Sequence, residues 1–332
     1  MTAPTIDILA IGNAIVDVLA ATDDTFLAQE GMTKGAMQLI DAPRAESLYA
    51  GMGAGREVSG GSAANTLAGA AMLGASCGFV GQVADDQLGA VFVHDIRAQG
   101  IAFDVPASDP AVPTGRCLVL VSEDGQRTMN TFLGAAQFLP TSAVDRTLVE
   151  SAAVLLLEGY LWDPAEPRAA MQEAIRVARA AGRKVALGVS AVFCILNHHA
   201  DFVALVEAGD IDILFANDEE LLALAALEDF EAALAKIAKS VPLLVVTRGA
   251  DGAIAVEGGT TRHEVAAEPI DRIVDTTGAG DLFAAGFLAG QAQGRSIADS
   301  LTMGAVAAAE VIGHYGARPE TDLKTLVAAR LG

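Results

Sequence analysis

The sequence predicts an α/β fold, a doubly wound and mainly parallel sheet flanked by helices, with a small β-sheet lid set apart from it. Two observations predict this class. Beyond residue 144, short apolar runs alternate with amphipathic helical patterns, which is typical of a parallel sheet covered by helices on both faces. Before residue 144, two strand-like runs flank an Asp124-Gly125 turn, and this pattern indicates a hairpin that belongs to a separate sheet.

The first half of the chain is predicted to contribute strands to both sheets. An apolar run at 6–11 indicates a buried strand, and residues 15–20 and 36–40 have extended patterns. A helical pattern at 87–99 ends at Gly100, a residue that often follows a helix C-terminus. We expect one domain over residues 1–332, with a lid formed by segments of about 14–20, 34–41 and 113–134.

The second half is predicted to build most of the parallel sheet. Strand patterns separated by helical patterns occupy residues 153–157, 184–189, 211–215 and 243–247. Ligands of such sheets bind beyond the carboxyl ends of the strands. Four loops are therefore expected at the ligand-binding edge, namely 158–163, 190–193, 216–220 and 247–249.

The amino-acid composition argues against several classes of function. Hydrophobic residues make up 52% of the 332 residues and charged residues 19%, so the chain is expected to fold around a sizeable core. Lys and Arg number 21 against 42 Asp and Glu, and this net charge of −21 argues against nucleic acid or an anionic membrane as a partner. The start of the chain lacks a basic leader and no apolar run is long enough to span a bilayer, so we expect a cytoplasmic protein.

Residues 277–280 are predicted to form a glycine-rich loop that opens a helix, because Phe283 and Phe287 follow at helical spacing. The free N–H groups and the partial positive charge of a helix N-terminus favour an anion there. Asp281 falls in the first turn of this helix. It is either a simple helix-start residue or a base beside an oxyanion hole, the pair of groups that phosphoryl transfer to an alcohol requires.

Two features of the N-terminal half each leave two interpretations open. Gly60-Gly61 precede a helix of small residues that carries Asn65, a pattern found in ordinary turns as well as in backbone sites for ligands. Asp17 interrupts an apolar strand, where a carboxylate is costly unless it is exposed or has a partner. Asp17 is therefore either an edge-facing residue or a ligand contact.

Two segments at predicted strand ends are equally ambiguous. Asn217 is a good N-cap and Glu220 its capping-box partner, but the same amide and carboxylate can also organise Mg²⁺ through water. Thr247 and Gly249 form either an ordinary link from strand to turn or a hydroxyl and an N–H that lie near a nucleotide.

The sequence also argues against several chemistries. It contains no G-x-x-x-x-G-K-[ST] loop, which excludes a P-loop NTPase. The histidines at 198, 199 and 263 lack metal-ligand spacing, and we interpret them as surface or cap residues. The three cysteines are isolated within apolar runs, so neither a disulfide framework nor a zinc site is expected.

Three of these segments together resemble the ribokinase-like (PfkB) family of carbohydrate and nucleoside kinases. Residues 275–281 are similar to the family's C-terminal signature, residues 60–65 to its N-terminal glycine motif, and residues 217–220 to its N-x-x-E motif. The order and spacing fit nearly the whole chain. The adenosine kinase branch is the most similar one, and the supporting segments are 12–17, 127–136, 190–193 and 212–217.

The resemblance implies roles on the acceptor side of the site. Asp281 is expected to take the proton of the acceptor hydroxyl, and an anion hole is expected from the N–H groups of Gly278, Ala279 and Gly280. The expected contacts of the acceptor are Asn13, Asp17, Gly60, Gly61, Ser62 and Asn65, with ribose hydroxyls at Asp17, Gly61 and Asn65 and the base side at Asn13. The lid is expected to supply Gln38, Thr131 and Leu133 to the acceptor and Arg127 to the phosphates.

The resemblance also implies a donor side and two ions. ATP is expected to contact Asn217, Thr247 and Gly249, with Mg²⁺ held through water by Glu220. A monovalent cation, K⁺, is expected at Asp275 and Thr277, with Gly316 and Ala317 nearby. Adenosine kinases commonly place an aromatic ring against the purine, and Leu161 aligns with that position, flanked by Tyr160 and Trp162.

These observations lead to one functional hypothesis with two alternatives. We expect a kinase that uses ATP and Mg²⁺ to phosphorylate the 5′-hydroxyl of a nucleoside, most simply adenosine. The first alternative is a kinase of the same family that acts on ribose or another sugar, and the second is a nucleoside-binding protein without catalysis. The expected partners are small molecules only, and the sequence leaves both a monomer and a homodimer open.

Overall fold

The computed structural model describes residues 3–332, and Met1 and Thr2, which begin the segment used to predict the absence of a leader, lie outside the described residues. The strands are β1 (Ile6–Ile11), β2 (Ile15–Ala21), β3 (Met37–Leu39), β4 (Arg56–Gly60), β5 (Cys77–Val80), β6 (Gly115–Val121), β7 (Arg127–Phe132), β8 (Ala152–Glu158), β9 (Lys184–Gly188), β10 (Ile213–Asn217), β11 (Leu243–Thr247), β12 (Ala253–Glu257) and β13 (Thr261–Val265). The helices are α1 (Asp24–Gln29), α2 (Ala42–Gly51), α3 (Ser62–Met72), α4 (Gln87–Ala98), α5 (Arg146–Ser151), α6 (Ala165–Ala180), α7 (Val192–Asn197), α8 (His199–Glu207), α9 (Asp218–Ala225), α10 (Phe230–Ala238), α11 (Ala279–Ala292), α12 (Ile297–Ile312) and α13 (Leu323–Leu331).

The large sheet is mainly parallel, as the sequence predicts. Within residues 3–332 it has eight strands in the order β13-β12-β11-β10-β9-β8-β1-β5. The strands from β5 to β11 along this order pair in parallel, and only β12 and β13 run antiparallel at one edge. The carboxyl ends of the six parallel strands therefore meet at one edge of the sheet, where ligands of such folds bind.

The core lies on both faces of this sheet because successive side chains of a strand point in opposite directions. In β1, Ile8 and Ala10 pack with α3, α4, α11, α12 and α13 on one face. Leu9 and Ile11 pack with α6, α8, α9 and α10 on the other face. A strand buried on both sides needs an unbroken apolar run, which is why β1 could be predicted from its sequence.

A second, small sheet also confirms the predicted architecture. Its strand order is β3-β7-β6-β2-β4, with β2 paired in parallel to β6 from Ile15 opposite Gly115 to Ala21 opposite Val121. Strand β4 lies at the edge and has no apolar pattern in the sequence. Its pairing with β2 is supported by Asp95 of α4, whose carboxylate accepts hydrogen bonds from Ser59 N and Oγ at 2.9 and 2.5 Å.

The two sheets together enclose the site. A cavity of about 550 Å³ lies between the inner face of the small sheet and the carboxyl ends of β8 to β11, with the start of α11 in its wall. No helix in the described part of the chain is both long and apolar enough to cross a membrane.

Candidate active site

The start of α11 is shaped by Gly278, its N-cap residue. Gly278 has φ +79°, a left-handed conformation that glycine adopts at little cost, and a Cβ at this position would lie 2.6 Å from the Cβ of Ala317. The loop therefore packs closely on the C-terminal segment at 316–318. Gly278, Gly280 and Asp281 all line the cavity.

The loop leaves a set of N–H donors free, but not the set that the resemblance implies. The Ala279 N–H donates to the carbonyl of Thr276 at 3.2 Å, because the chain closes a turn there before the helix begins. Among residues 3–332, the N–H groups of Gly278, Gly280 and Asp281 have no acceptor. The three N–H groups of this loop that stay free for an anion in the described chain are therefore those of Gly278, Gly280 and Asp281, and Ala279 N–H is not one of them.

The Asp281 carboxylate faces the acceptor side of the cavity. Its two oxygens accept hydrogen bonds from Ser62 Oγ at 2.6 Å and from Asn65 Nδ2 at 3.0 Å. Burial raises the pKa of Asp281, while the bonds from Ser62 and Asn65 and the charge of Arg318 oppose the rise. A carboxylate with a raised pKa is a better base towards a hydroxyl than an exposed one.

The turn between β4 and α3 makes room for a second carboxylate in the cavity, that of Asp17 in β2. Gly61 has φ +96°, and a Cβ there would lie 2.2 Å from the carbonyl oxygen of Asn13. A Cβ on Gly60 would lie 2.5 Å from the carboxyl group of Asp17. Gly60 does not itself line the cavity, but its missing side chain is the space that Asp17 occupies.

Two side-chain acceptors beside this turn have no hydrogen-bond donor within residues 3–332. The Asp17 carboxylate lines the cavity and accepts no hydrogen bond from the described residues, and burial raises its pKa to about 6 against the charges of Arg318 and Arg127. Asn65 Oδ1 is buried and likewise has no partner in the described chain. A buried acceptor without a donor, such as Asn65 Oδ1, is rare in folded proteins, and the half-buried Asp17 carboxylate is open to the cavity. Both groups are therefore suited to hydroxyl groups of a ligand.

Glu158 is a site residue that the sequence reasoning missed. It ends β8 with 3% of its surface exposed, lines the cavity floor, and accepts hydrogen bonds from Asn13 Nδ2 at 2.6 Å and from Ala63 N at 2.9 Å. Burial raises its pKa to about 7. The available signal was an acidic residue at the end of a buried strand, in one of the loops expected at the ligand-binding edge.

The aromatic wall of the cavity is formed by Tyr160, and not by Leu161. Residues Gly159–Trp162 form a single 3₁₀ turn, which directs Tyr160 to the cavity and buries Leu161 and Trp162 in the core with 1% exposure each. The Tyr160 ring lies 5.9 Å from that of Phe193, centroid to centroid, and Phe193 also lines the cavity. An aromatic surface therefore exists at the position where the alignment suggested leucine.

The small sheet covers the cavity with one of its faces. Thr131 and Leu133 line the cavity as expected, but Gln38 does not. Side chains of β3 alternate, so Met37 and Leu39 face the cavity while Gln38 donates from Nε2 to Asn130 Oδ1 at 2.6 Å.

Arg127 of the small sheet reaches Asp275 in front of α11. Arg127 Nη2 lies 2.5 Å from Asp275 Oδ2, although the N–H bonds of Nε and Nη2 point at no acceptor in the described chain. Asp275 Oδ1 accepts from Thr277 N at 3.1 Å and Oδ2 from Gly316 N at 3.2 Å. Each oxygen of Asp275 thus accepts one N–H and keeps a further lone pair, and Arg127 keeps N–H groups for an anion.

Asn217 and Glu220 have the capping geometry expected of them and also line the cavity. Asn217 Oδ1 accepts from Glu220 N at 2.8 Å, and Glu220 Oε2 accepts from Asn217 N at 2.9 Å. No cluster of three metal-ligating His, Cys, Asp or Glu exists in residues 3–332. A single carboxylate with free lone pairs suits Mg²⁺ that is held mainly by water and phosphates.

The remaining predicted residues fall at the edge of the cavity. Thr247 and Thr277 line it, as do Gly316 and Ala317, while Gly249 is exposed just beyond Thr247. Arg318, which follows Ala317, also lines the cavity and was not signalled by any motif.

Phosphoryl transfer to an alcohol needs a base next to the hydroxyl and N–H donors around the phosphoryl oxygens. Both occur here within one turn of α11, at the edge of an α/β sheet where ligands bind. These features define the class of the protein, a phosphotransferase with an alcohol acceptor.

The chain belongs to the pfkB family of carbohydrate kinases, whose model matches residues 8–324. An adenosine kinase from Sinorhizobium meliloti is 48% identical, with a TM-score of 0.90 over 98% of this chain and 99% of that one. A Rhizobium etli protein described as a "probable sugar kinase" is 45% identical, with a TM-score of 0.91 over 99% and 98%. Adenosine kinase of Saccharomyces cerevisiae is 29% identical over 95% of this chain and 96% of its own.

These similarities place the chain in the ribokinase-like fold and in the adenosine kinase branch of the family. The protein is therefore a kinase that phosphorylates a hydroxyl group of a nucleoside or a sugar. Kinases of this family use ATP, generally with Mg²⁺.

Proposed function

We propose that the protein is an adenosine kinase, which transfers the γ-phosphoryl group of ATP to the 5′-hydroxyl of adenosine and releases AMP and ADP. The observation that carries this proposal is one cavity in which the Asp281 carboxylate, the free N–H groups of α11 and the aromatic side chains of Tyr160 and Phe193 all meet.

In this proposal Asp281 is the general base. The acceptor hydroxyl takes the place of Ser62 or Asn65 as a hydrogen-bond donor to the carboxylate and gives up its proton as its oxygen attacks the γ-phosphorus. The bond from the γ-phosphorus to the bridging oxygen breaks, and ADP leaves with that oxygen. The proton remains on Asp281 until the products dissociate.

The charge on the transferred group is stabilised by the N–H groups of Gly278, Gly280 and Asp281 and by those N–H groups of Arg127 that point at no acceptor within residues 3–332. Glu220 would hold Mg²⁺ through water, and the ion would neutralise charge on the phosphates. Thr247 and Asn217 lie at the adjoining strand ends and are proposed to contact the nucleotide. Activation by K⁺ at Asp275 and Thr277 stays a prediction, and no step depends on it.

The acceptor is proposed to lie between the β4–α3 turn and Tyr160. Asp17 and Asn65 Oδ1 accept from the ribose hydroxyls, since neither has a donor in the described chain. Asn13 Nδ2 is occupied by Glu158, so Asn13 presents its oxygen to the ligand. The small sheet is proposed to act as a lid, with Thr131 and Leu133 closing over the nucleoside and excluding water.

A sugar kinase is the second candidate. It is supported by the Rhizobium etli relative, and a free furanose can also donate hydroxyls to Asp17 and Asn65. A nucleoside is favoured because the planar ring of a purine can stack on the aromatic wall over its whole face, which a free sugar cannot do. A binder without catalysis is disfavoured, because binding alone requires no carboxylate beside an anion hole.

The test is a substrate panel with the purified protein, ATP and Mg²⁺. Adenosine, guanosine, inosine, ribose and fructose 6-phosphate are compared by ADP release, and we expect adenosine to exceed ribose in kcat/KM by about 100-fold or more. A preference for ribose or another free sugar would reject the adenosine assignment in favour of the second candidate. Binding of adenosine without ADP release would support the non-catalytic alternative.

A further inference from the structure

Three consecutive residues before the last helix touch three different parts of the site. Gly316 N donates to Asp275 Oδ2 at 3.2 Å, and Ala317 packs against Gly278 at the start of α11. Arg318 extends in the opposite direction, to the β4–α3 turn on the acceptor side. We call residues 316–318 the strap.

The Arg318 guanidinium holds both ends of that turn. Its Nε and Nη2 donate to the Ser59 carbonyl at 3.0 and 2.8 Å, Nη2 also donates to Ser59 Oγ at 2.8 Å, and Nη1 donates to the Ala64 carbonyl at 2.6 Å. Nη1 lies 3.5 Å from Gln99 Oε1 as well. Five donor contacts use the whole fork, so Arg318 keeps no N–H group for a ligand even though it lines the cavity.

Arg318 can therefore affect a ligand only through the β4–α3 turn, whose carbonyls it binds. Between Ser59 and Ala64 lie the glycines that make room for Asp17, and Ser62, which donates to Asp281. The backbone of this turn has no strong preference for its observed shape, because glycines are conformationally permissive. The planar guanidinium of Arg318 binds the carbonyls of Ser59 and Ala64, which are 5 positions apart, and so restricts the conformation of the turn.

The charge of Arg318 acts on the same two carboxylates. Burial lowers its pKa to about 10, so the guanidinium remains charged at neutral pH. Its field lowers the pKa of Asp17 and of Asp281, against the burial that raises both. The positive charge therefore favours the ionised form that a general base requires.

We propose that Arg318 is a positioning residue for phosphoryl transfer, which fixes the acceptor turn and, through Ala317 and Gly316, joins it to the anion hole and to Asp275 as one rigid unit. This inference rests on the proposed function and deepens it. The acceptor hydroxyl and the phosphoryl group then keep a fixed separation because both of their binding sites are anchored to the strap.

The test compares Arg318→Met, Arg318→Lys and a matched control, Arg330→Met, because Arg330 lies in α13 and its side chain pairs with Glu268 at the surface. We measure kcat and KM for acceptor and ATP from pH 5.5 to 9. Arg318→Met is expected to lose about 100-fold in kcat/KM for the acceptor, the scale of an error of about 1 Å in placement. Arg318→Lys is expected to lose less, and Arg330→Met nothing.

The pH profile separates positioning from a merely structural role. The other titratable groups that interact with Asp281 are those of Asp17, Glu158, Tyr160 and Glu220. Those that interact with Asp17 are Arg127, Asp275 and Cys117, and all of these groups are kept in every variant. Removing the cation lets the pKa of Asp281 and Asp17 rise, so the acid limb of kcat/KM moves to higher pH in Arg318→Met. In Arg318→Lys, which keeps the charge, the limb stays in place.

Two results would overturn the inference. One is wild-type kcat/KM in Arg318→Met. The other is an equal loss of activity in the Met and Lys variants, with an unmoved acid limb and an equally lowered Tm, which would reduce Arg318 to a structural clamp. If wild-type protein phosphorylates another acceptor of the panel, the comparison is made with that acceptor, so a failure of the adenosine assignment is seen in the wild type and a failure of the inference only in the variants.

Discussion

The Asp281 carboxylate accepts hydrogen bonds from two donors that a substrate hydroxyl can replace. A substitution of Asp281 is therefore the most direct test of the proposed mechanism. Asp281→Asn keeps the shape and one acceptor oxygen but cannot take a proton. We expect kcat to fall by about 10³-fold or more, in line with the loss of a general base and its local charge. Binding of adenosine, measured by calorimetry, is expected to change little.

Asp85→Asn is the control for this prediction, because Asp85 is exposed and its carboxylate makes no hydrogen bond with the described residues. Turnover near the wild-type value in Asp281→Asn would remove Asp281 as the base and with it the assignment of the reaction to this loop.

Glu158 gives the acceptor site its own pH dependence. Its carboxylate oxygens accept N–H groups from Asn13 and Ala63, and its pKa is raised to about 7. Protonation as the pH falls through 7 converts one of these acceptors into an O–H donor, which opposes one of the two bonds. We expect KM for adenosine to rise below about pH 7, with a further rise near pH 6 as Asp17 is protonated.

Glu158→Gln is expected to raise KM at pH 8 and to abolish the step near pH 7, while the step near pH 6 remains. The measurement is KM for adenosine from pH 5.5 to 8.5 in both proteins. If both steps survive in Glu158→Gln, the step near pH 7 belongs to another group.

At the scale of secondary structure, an ion pair connects the small sheet to the segment that precedes α11. Arg127 of β7 contacts Asp275 and lies 5.6 Å from the ring centroid of Tyr315. Because Arg127 also keeps buried N–H groups without an acceptor among the residues that the structure describes, an arriving phosphate can compete with Asp275 for it. Binding of the phosphoryl donor would then weaken the contact between Arg127 and Asp275.

Arg127→Met is expected to lower kcat/KM for ATP by about 10- to 100-fold while KM for adenosine changes little, because the variant loses a phosphate contact and leaves Asp275 uncompensated. Arg116→Met is the matched control, since Arg116 lies on the neighbouring strand β6, outside the cavity lining, and stacks near Tyr49 and Phe132. An equal loss in both variants would indicate damage to the small sheet and not loss of a phosphate contact.

The elements also differ in how far the sequence predicted them. Strands β8 to β11 are buried on both faces and need apolar runs, which makes them visible. Strands β4 and β13 lie at sheet edges and consist largely of polar residues, as in Arg56–Gly60, so tertiary pairing and not local pattern decides them.

The residues of the site also differ in how far the sequence predicts them. Gly61 and Gly278 are recognisable because the backbone forces glycine at those angles. Glu158 and Arg318 act on partners 95 and 259 positions away, which no local pattern encodes. Gln38 and Leu161 lie next to true cavity residues, and only the phase of a strand or of a 3₁₀ turn excludes them.

At the scale of the whole molecule, the strongest constraint is charge. The protein carries a net charge of −21, and its donor, MgATP, is also an anion. The repulsion between them reaches far at low salt, because the Debye length is about 30 Å at 0.01 M, and it shrinks to about 10 Å at 0.1 M. The contacts of Arg127 and of the N–H groups at α11 are short and partly buried. Salt therefore screens the repulsion more than it screens the binding contacts.

We expect kcat/KM for ATP to rise by about two- to fivefold between 20 and 200 mM salt, because the acidic surface slows the approach of the nucleotide at low salt. The value for adenosine, which is neutral, is expected to stay constant and serves as the internal control. Tetramethylammonium chloride is the salt to use, so that ionic strength changes without a cation that could bind at Asp275. A fall in kcat/KM for ATP over this range would mean that the local cationic contacts, and not the net charge, govern the encounter.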